Sequence, residues 1–135
     1  MDSALLDGKV FIVTGGTQGL GKGIALHLAD CGAKGIVICG RNVENGKTSA
    51  GEIMDIGCAC EFVQADLTIE ADCCRVVQVC DQKFGSVQGL VNAAGLTDRG
   101  SIEDTTVELW DLLFAINVRA PFILTREVVR MMKRE

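Results

Sequence analysis

Val10-Phe11-Ile12-Val13-Thr14-Gly15-Gly16-Thr17-Gln18-Gly19-Leu20-Gly21 is the stretch on which the fold turns. Its first four residues form a short continuous apolar run, the pattern of a strand covered on both faces. Leu20, Ile24 and Leu28 then recur every four residues and predict an amphipathic helix. On this reading those three side chains are buried, His27 lies in solvent and Gly32 ends the helix. A strand that passes through a glycine turn into a helix presents backbone N–H groups above the turn, where an anion is favoured. Gly15 permits the sharp turn, Gly19 lets a pyrophosphate approach the backbone, and Gly21 lets the helix pack closely on the strand. The spacing is Gly-x3-Gly-x-Gly, not the Gly-x-Gly-x-x-Gly of the common dinucleotide fingerprint. A tight turn without a ligand is the alternative.

Working outward, Ile36-Val37-Ile38-Cys39 reads as a second buried strand between Gly35 and Gly40. Val43, Ala50, Ile53 and Met54 predict a second helix over residues 43–56, weakened by Gly46 and Gly51. A third strand is expected over residues 58–65, around Phe62-Val63. Cys73, Val76, Val77, Cys80 and Phe84 form the stripe of a third helix. A fourth strand covers residues 87–93. Residues 102–135 read as helical, with Trp110, Leu113 and Phe114 on one face and a break at Pro121, which lacks a backbone donor. The order βαβαβαβα implies an α/β, Rossmann-type doubly wound parallel sheet with right-handed crossovers. Residues 1–135 form one domain, which on this reading is incomplete, stopping after the fourth strand and the long helix.

Composition narrows the function. Of 135 residues 48% are hydrophobic and 23% charged, enough apolar residues for a core and no sign of disorder. The net charge of -5 offers no basic surface for nucleic acid. No apolar run approaches the roughly 18 residues of a membrane span. The acidic start Met1-Asp2-Ser3-Ala4-Leu5-Leu6-Asp7 does not resemble a secretory signal, so a cytoplasmic protein is expected. The seven cysteines form no Cys-x-x-Cys pair, and His27 is the one histidine; no metal site is expected. Residues 16–22 also spell Gly-x4-Gly-Lys, but Gly23 stands where a P-loop needs a Ser or Thr hydroxyl for Mg²⁺. Nucleoside-triphosphate hydrolysis is therefore set aside.

Four motifs in order resemble the short-chain dehydrogenase/reductases of the "classical" type. They are Thr14-Gly15-x3-Gly19-x-Gly21 after the first strand, Asp66-Leu67 after the third, Asn92-Ala93-Ala94-Gly95 at the fourth, and Asn117 in the long helix. Ala93 replaces the second Asn of the family's Asn-Asn-Ala-Gly. The resemblance implies a nicotinamide dinucleotide held by Gly15, Thr17, Gln18, Gly19, Leu20, Gly21, Arg41, Asn42, Asp66, Leu67, Asn92, Ala93, Ala94 and Gly95, with Asn117 structural and catalytic. Two assignments have independent support. Asp66 falls at the carboxyl end of a parallel strand, where open α/β sheets bind ligands, with a solvated loop aspartate as the alternative. Asn117, seven residues after Trp110 and three after Phe114, is expected on their inward face, where a buried amide is costly unless used. A satisfied core Asn is the other reading.

Arg41 follows the second strand, 20 residues after Gly21. An acid there would bond the ribose 2′-OH of NAD, whereas an Arg accommodates the 2′-phosphate of NADP. Gly40 occupies the place of the acid in NAD-preferring members, so NADP is expected, with NAD as the alternative. The second basic residue of many NADP members is here Gln18.

The resemblance implies hydride transfer between the cofactor and a small carbonyl or alcohol substrate. Similar enzymes use a Ser and a Tyr-x3-Lys, which follow a fifth strand; this chain has no tyrosine. It is therefore read as the cofactor-binding half of an oxidoreductase, without a catalytic acid of its own and inactive alone. A short non-catalytic form that binds cofactor or pairs with a partner is the second reading. Family members are dimers or tetramers, so a homo-oligomer is expected at full length.

Overall fold

The computed structural model describes residues 5–134; the readings of Met1 to Ala4 and of Glu135 lie outside them. Four strands, β1 (Val10–Thr14), β2 (Gly35–Gly40), β3 (Ala59–Gln64) and β4 (Gly89–Asn92), form one parallel sheet in the order β3-β2-β1-β4. Phe11 pairs with Ile36 on one side and with Gly89 on the other. Helices α1 (Gly19–Asp30), α2 (Val43–Asp55) and α3 (Glu70–Phe84) connect the strands. After β4 come α4 (Val107–Phe114), a π-helical segment (Ala115–Arg119) and α5 (Ala120–Met132). The chain builds from β1 outward to β3, then returns to β4 on the opposite side of β1. The β1/β4 boundary is the topological switch point, where a crevice opens at the strand ends.

Each face of the sheet carries its own apolar cluster, as a doubly wound sheet requires. Val13, Ile36 and Ile38 pack with Ala25 and Ala29 of α1 and Ala50 and Ile53 of α2. Val10, Ile12 and Val37 pack with Val76, Val77 and Cys80 of α3 and Ile123, Leu124 and Val128 of α5. The α3 stripe is buried as its spacing predicts, with Phe84 laid over Gly35, where a Cβ would stand 2.3 Å from the ring.

The sequence reading of α1 needs correction. Its buried residues are Gly21, Ala25 and Ala29; Leu20 is 77% exposed, and Ile24 and Leu28 are only partly covered. A Cβ on Gly21 would lie 2.2 Å from the Gly15 carbonyl oxygen. At that approach only small residues fit against the sheet, and the larger aliphatics move to the flanks. His27 is exposed as expected, and Gly32 follows the helix with φ +91°. In α2, Met54 is exposed rather than buried, while Ser49 takes a core position.

The long helix also differs. It starts at Val107, not at 102: the Thr106 side chain caps it by accepting the Leu109 N–H at 3.1 Å, and Ile102 is 93% exposed. Trp110 and Phe114 stack at 4.7 Å between ring centroids, yet both are exposed, as is Asn117. The expected buried face fails because α4 buries none of its residues; burial begins with Ala115 in the π segment and continues along α5. The π segment ends two residues ahead of Pro121, so the expected break takes the form of a π turn. Among the described residues no helix is long and apolar enough to cross a membrane.

Candidate functional site

The glycine turn between β1 and α1 is built by contact on three sides. Gly15, at φ +65°, leaves no room for a Cβ, which would stand 2.9 Å from the Ala94 backbone nitrogen. On Gly16 a Cβ would meet Ile38 Cγ2 at 2.6 Å. Ser49, wholly buried in α2, donates its hydroxyl to the Thr17 carbonyl at 2.9 Å. Thr14 is also buried; its hydroxyl accepts the Ala94 N–H at 3.2 Å and donates to the Val91 carbonyl at 3.4 Å. The loop is thus pinned to β2, to α2 and to the end of β4.

Its upper side is open. Gly19 has φ +57°, a conformation strained for any L side chain, and a Cβ there would have nothing within 4 Å. Gln18 stands at the N-cap of α1 without capping it, and no acidic residue occupies the first turn. Its amide oxygen instead accepts from Asn45 Nδ2 at 3.4 Å. The positive end of α1 therefore faces the opening with unneutralised N–H groups, a surface that suits a phosphate.

At the end of β2, Arg41 extends into solvent beside Gly40, whose missing Cβ would lie 2.8 Å from Thr17 Oγ1. Asn42 caps α2, accepting the Asn45 N–H at 2.9 Å. At the end of β3, Asp66 Oδ1 accepts the Thr68 hydroxyl at 2.7 Å and the Thr68 N–H at 3.0 Å. These bonds, with a smaller contribution from Arg41, hold its carboxyl below the usual 3.8. Asp66 is therefore a fixed carboxylate at neutral pH. Beyond β4, Asn117 grips the loop from both sides: its Oδ1 accepts the Leu96 N–H at 3.0 Å, and its Nδ2 donates to the Leu96 carbonyl at 2.7 Å.

These elements enclose a cleft of about 500 Å³ at the carboxyl ends of the strands. Gly15, Thr17, Gln18, Arg41, Asn42, Asp66, Leu67, Ala94 and Gly95, all singled out from sequence, line it. Gly21 and Ala93 lie beneath, their would-be and actual Cβ atoms 3.2 Å apart. Gly19 and the exposed Leu20 open α1 itself, and Asn92 ends β4 in register with Thr14. Asn117 acts on the rim through Leu96. Sequence reasoning missed Asn45, Thr68, Leu112 and Ile116 of the lining, and Ser49 behind it. Two had a local signal: Asn45 is three residues past an N-cap Asn, and Thr68 two past an Asp.

Cysteine chemistry is muted at this site. Cys39 lines the cleft, yet burial pushes its thiol up to about 12, so it remains protonated at neutral pH. Among the described residues no group of three or more His, Cys, Asp and Glu is placed to hold a metal ion.

The profile of the short chain dehydrogenase family matches residues 9–135. An NADP-dependent (R)-specific alcohol dehydrogenase from Lentilactobacillus kefiri is 39% identical over 130 residues, 96% of this chain and 51% of that protein. The short chain dehydrogenase adrF of Penicillium rubens is 36% identical over 98% of this chain and 49% of its own length. A metagenomic short-chain oxidoreductase solved with NADP superposes with a TM-score of 0.88 at 31% identity, over 94% of this chain and 57% of that one. A Burkholderia cenocepacia J2315 short chain dehydrogenase, also solved with NADP, gives 0.89 at 31% identity over 93% and 51%. The chain spans about half the length of the curated relatives it matches. With four parallel strands in this order and a family match from residue 9 to residue 135, the chain belongs to the short chain dehydrogenases.

Proposed function

We propose that the cleft binds a nicotinamide dinucleotide, NADP in preference to NAD, and that the whole protein is an oxidoreductase acting on a small carbonyl or alcohol. The observation that carries this reading is the uncapped N-terminus of α1 beneath the open Gly19, with Arg41 and no acid at the end of β2. The pyrophosphate would lie on the N–H groups after Gly15, the 2′-phosphate near Arg41 and Gln18, and the adenine edge against Asp66 and Leu67. Asn92, Ala93, Ala94 and Gly95 would form the floor toward the nicotinamide, with Asn117 holding that floor through Leu96. When bound, the nicotinamide supplies or accepts a hydride.

The chain's own residues bind and orient; none is a tyrosine, so the family's general acid is not among these 135 residues. The same fact supports a second reading, a non-catalytic form that binds cofactor or a partner, and makes this chain alone inactive in hydride transfer. Exposed Trp110, Phe114, Val118 and Phe122 along the long helix support a homo-oligomer, and the free thiols of Cys39, Cys58 and Cys80 a cytoplasmic setting.

Calorimetric titration with NADPH and NADH tests the reading. Uptake of NADPH at lower concentration than NADH is expected, and uptake of neither would overturn it. Stereospecific turnover by the 135-residue chain alone would overturn its inactivity.

A further inference from the structure

The π segment Ala115–Arg119 reaches both rims of the cleft. Asn117 holds Leu96 on the β4 side, and two residues on, Arg119 Nη2 donates to the backbone carbonyl of Thr68 at 2.6 Å, across 51 residues of chain. Thr68 is the residue whose hydroxyl and N–H fix the Asp66 carboxylate. At its start the loop is anchored to β2 by the Ala65 N–H on the Gly40 carbonyl at 3.0 Å. From Asp66 onward its other hydrogen bonds are local: the Asp66 N–H to Asp72, the Ile69 N–H to the Asp66 carbonyl, and the Cys73 thiol to the Leu67 carbonyl. Beyond that anchor, a segment tied to its sequence neighbours still swings as a unit. A charge-assisted bond from a helix beyond β4 removes that freedom.

We propose that Arg119 is a positioning residue for the adenosine end of the bound dinucleotide, acting through Thr68 to hold Asp66 and Leu67 against the cleft. This rests on the dinucleotide reading above. Asn117 serves the opposite rim, so one helical turn indexes the two ends of a single ligand. Neither side chain needs to touch the ligand to do so.

The test uses the protein at its natural full length, with Arg119→Met and Arg119→Lys variants. Three probes are titrated: NADPH, adenosine 2′,5′-bisphosphate and reduced nicotinamide mononucleotide. Arg119→Met should weaken NADPH and the adenosine probe by the same factor, roughly tenfold, the loss of one charge-assisted hydrogen bond. It should leave the mononucleotide unchanged, and Arg119→Lys, which keeps a donor, should recover most of the loss. Unchanged affinity for the adenosine probe, with or without a lower melting temperature, would overturn the proposal. So would an equal loss for the mononucleotide, which would mark general disruption of the cleft. If the unaltered protein takes up neither NADPH nor the adenosine probe, the dinucleotide reading fails and the inference falls with it.

Discussion

The hydroxyl of Thr14 accepts the backbone N–H of Ala94 at 3.2 Å, joining the last residue of β1 to a residue 80 positions later. The bond sits at the switch point and sets the distance between the glycine turn and the loop after β4. Thr14→Val keeps the shape and leaves that N–H unpaired. The expected cost is about 1–3 kcal/mol of stability. Urea unfolding checks it, and an unchanged midpoint would show that the N–H finds another acceptor.

Arg41 is the cation expected to read the 2′-phosphate. Arg41→Ala should cost about 1.5–3 kcal/mol of NADPH affinity and little of NADH affinity. Equal losses for both cofactors would mean that Arg41 shapes the loop, whose carbonyl accepts from Gln64 at 3.3 Å, instead of contacting phosphate.

Gly19 and Gly21 should fail in opposite ways. Gly21→Ala drives a Cβ into the Gly15 carbonyl and should lower the melting temperature markedly. A Cβ on Gly19 meets no protein atom within 4 Å, so beyond the strain of its positive φ Gly19→Val should spare the fold and abolish dinucleotide binding. Circular dichroism beside a cofactor titration separates the two; full affinity in Gly19→Val would place the pyrophosphate elsewhere.

The Asp66–Thr68 pair predicts a pH dependence. The native carboxyl titrates below its unfolded value of 3.8, so its stabilising contribution is present above that pH and fades as pH falls through the lowered native value. Thr68→Val should therefore destabilise the protein at neutral pH and lose that effect in acid. Denaturation midpoints at about pH 7 and at an acid end point well below 3.8 give the comparison. The same deficit at both would show that the Thr68 hydroxyl acts apart from the carboxylate.

Much of the fold is legible because burial on both faces of a parallel sheet writes itself as continuous runs, as in residues 10–13 and 36–39. The α3 stripe is legible because its side chains meet a sheet at ordinary spacing. The α1 stripe misleads, since Gly21 brings that helix so close that alanines, not leucines, face the strand. Asn117 misleads for another reason: it shares a face with Trp110 and Phe114 as spacing suggests, but that whole face is exposed, and its amide is used on the Leu96 backbone instead of in the core. In the site, Asp66 and Arg41 follow from strand ends and glycines from the turn. Thr14, Ser49 and Arg119 have partners 80, 32 and 51 residues away, and spacing along the chain carries no trace of such pairings.

The π segment also gives the long helix one place, at residues 115–119, where a change of chain length is taken up locally. A π turn holds one residue more than the α-helical path it replaces. Deleting a single residue there would let the helix anneal into continuous α-form, an α turn closing where the wider turn closes now, with the faces of α5 left where they are. Ala120, Ile123, Leu124 and Val128 would stay on the sheet with Phe122 and Val129 outside, and the change would fall on Asn117 and Arg119, whose hold on Leu96 and Thr68 depends on the wide turn. A one-residue deletion within α5 itself has no wide turn to close, so it would turn every later residue by about 100° off its present face.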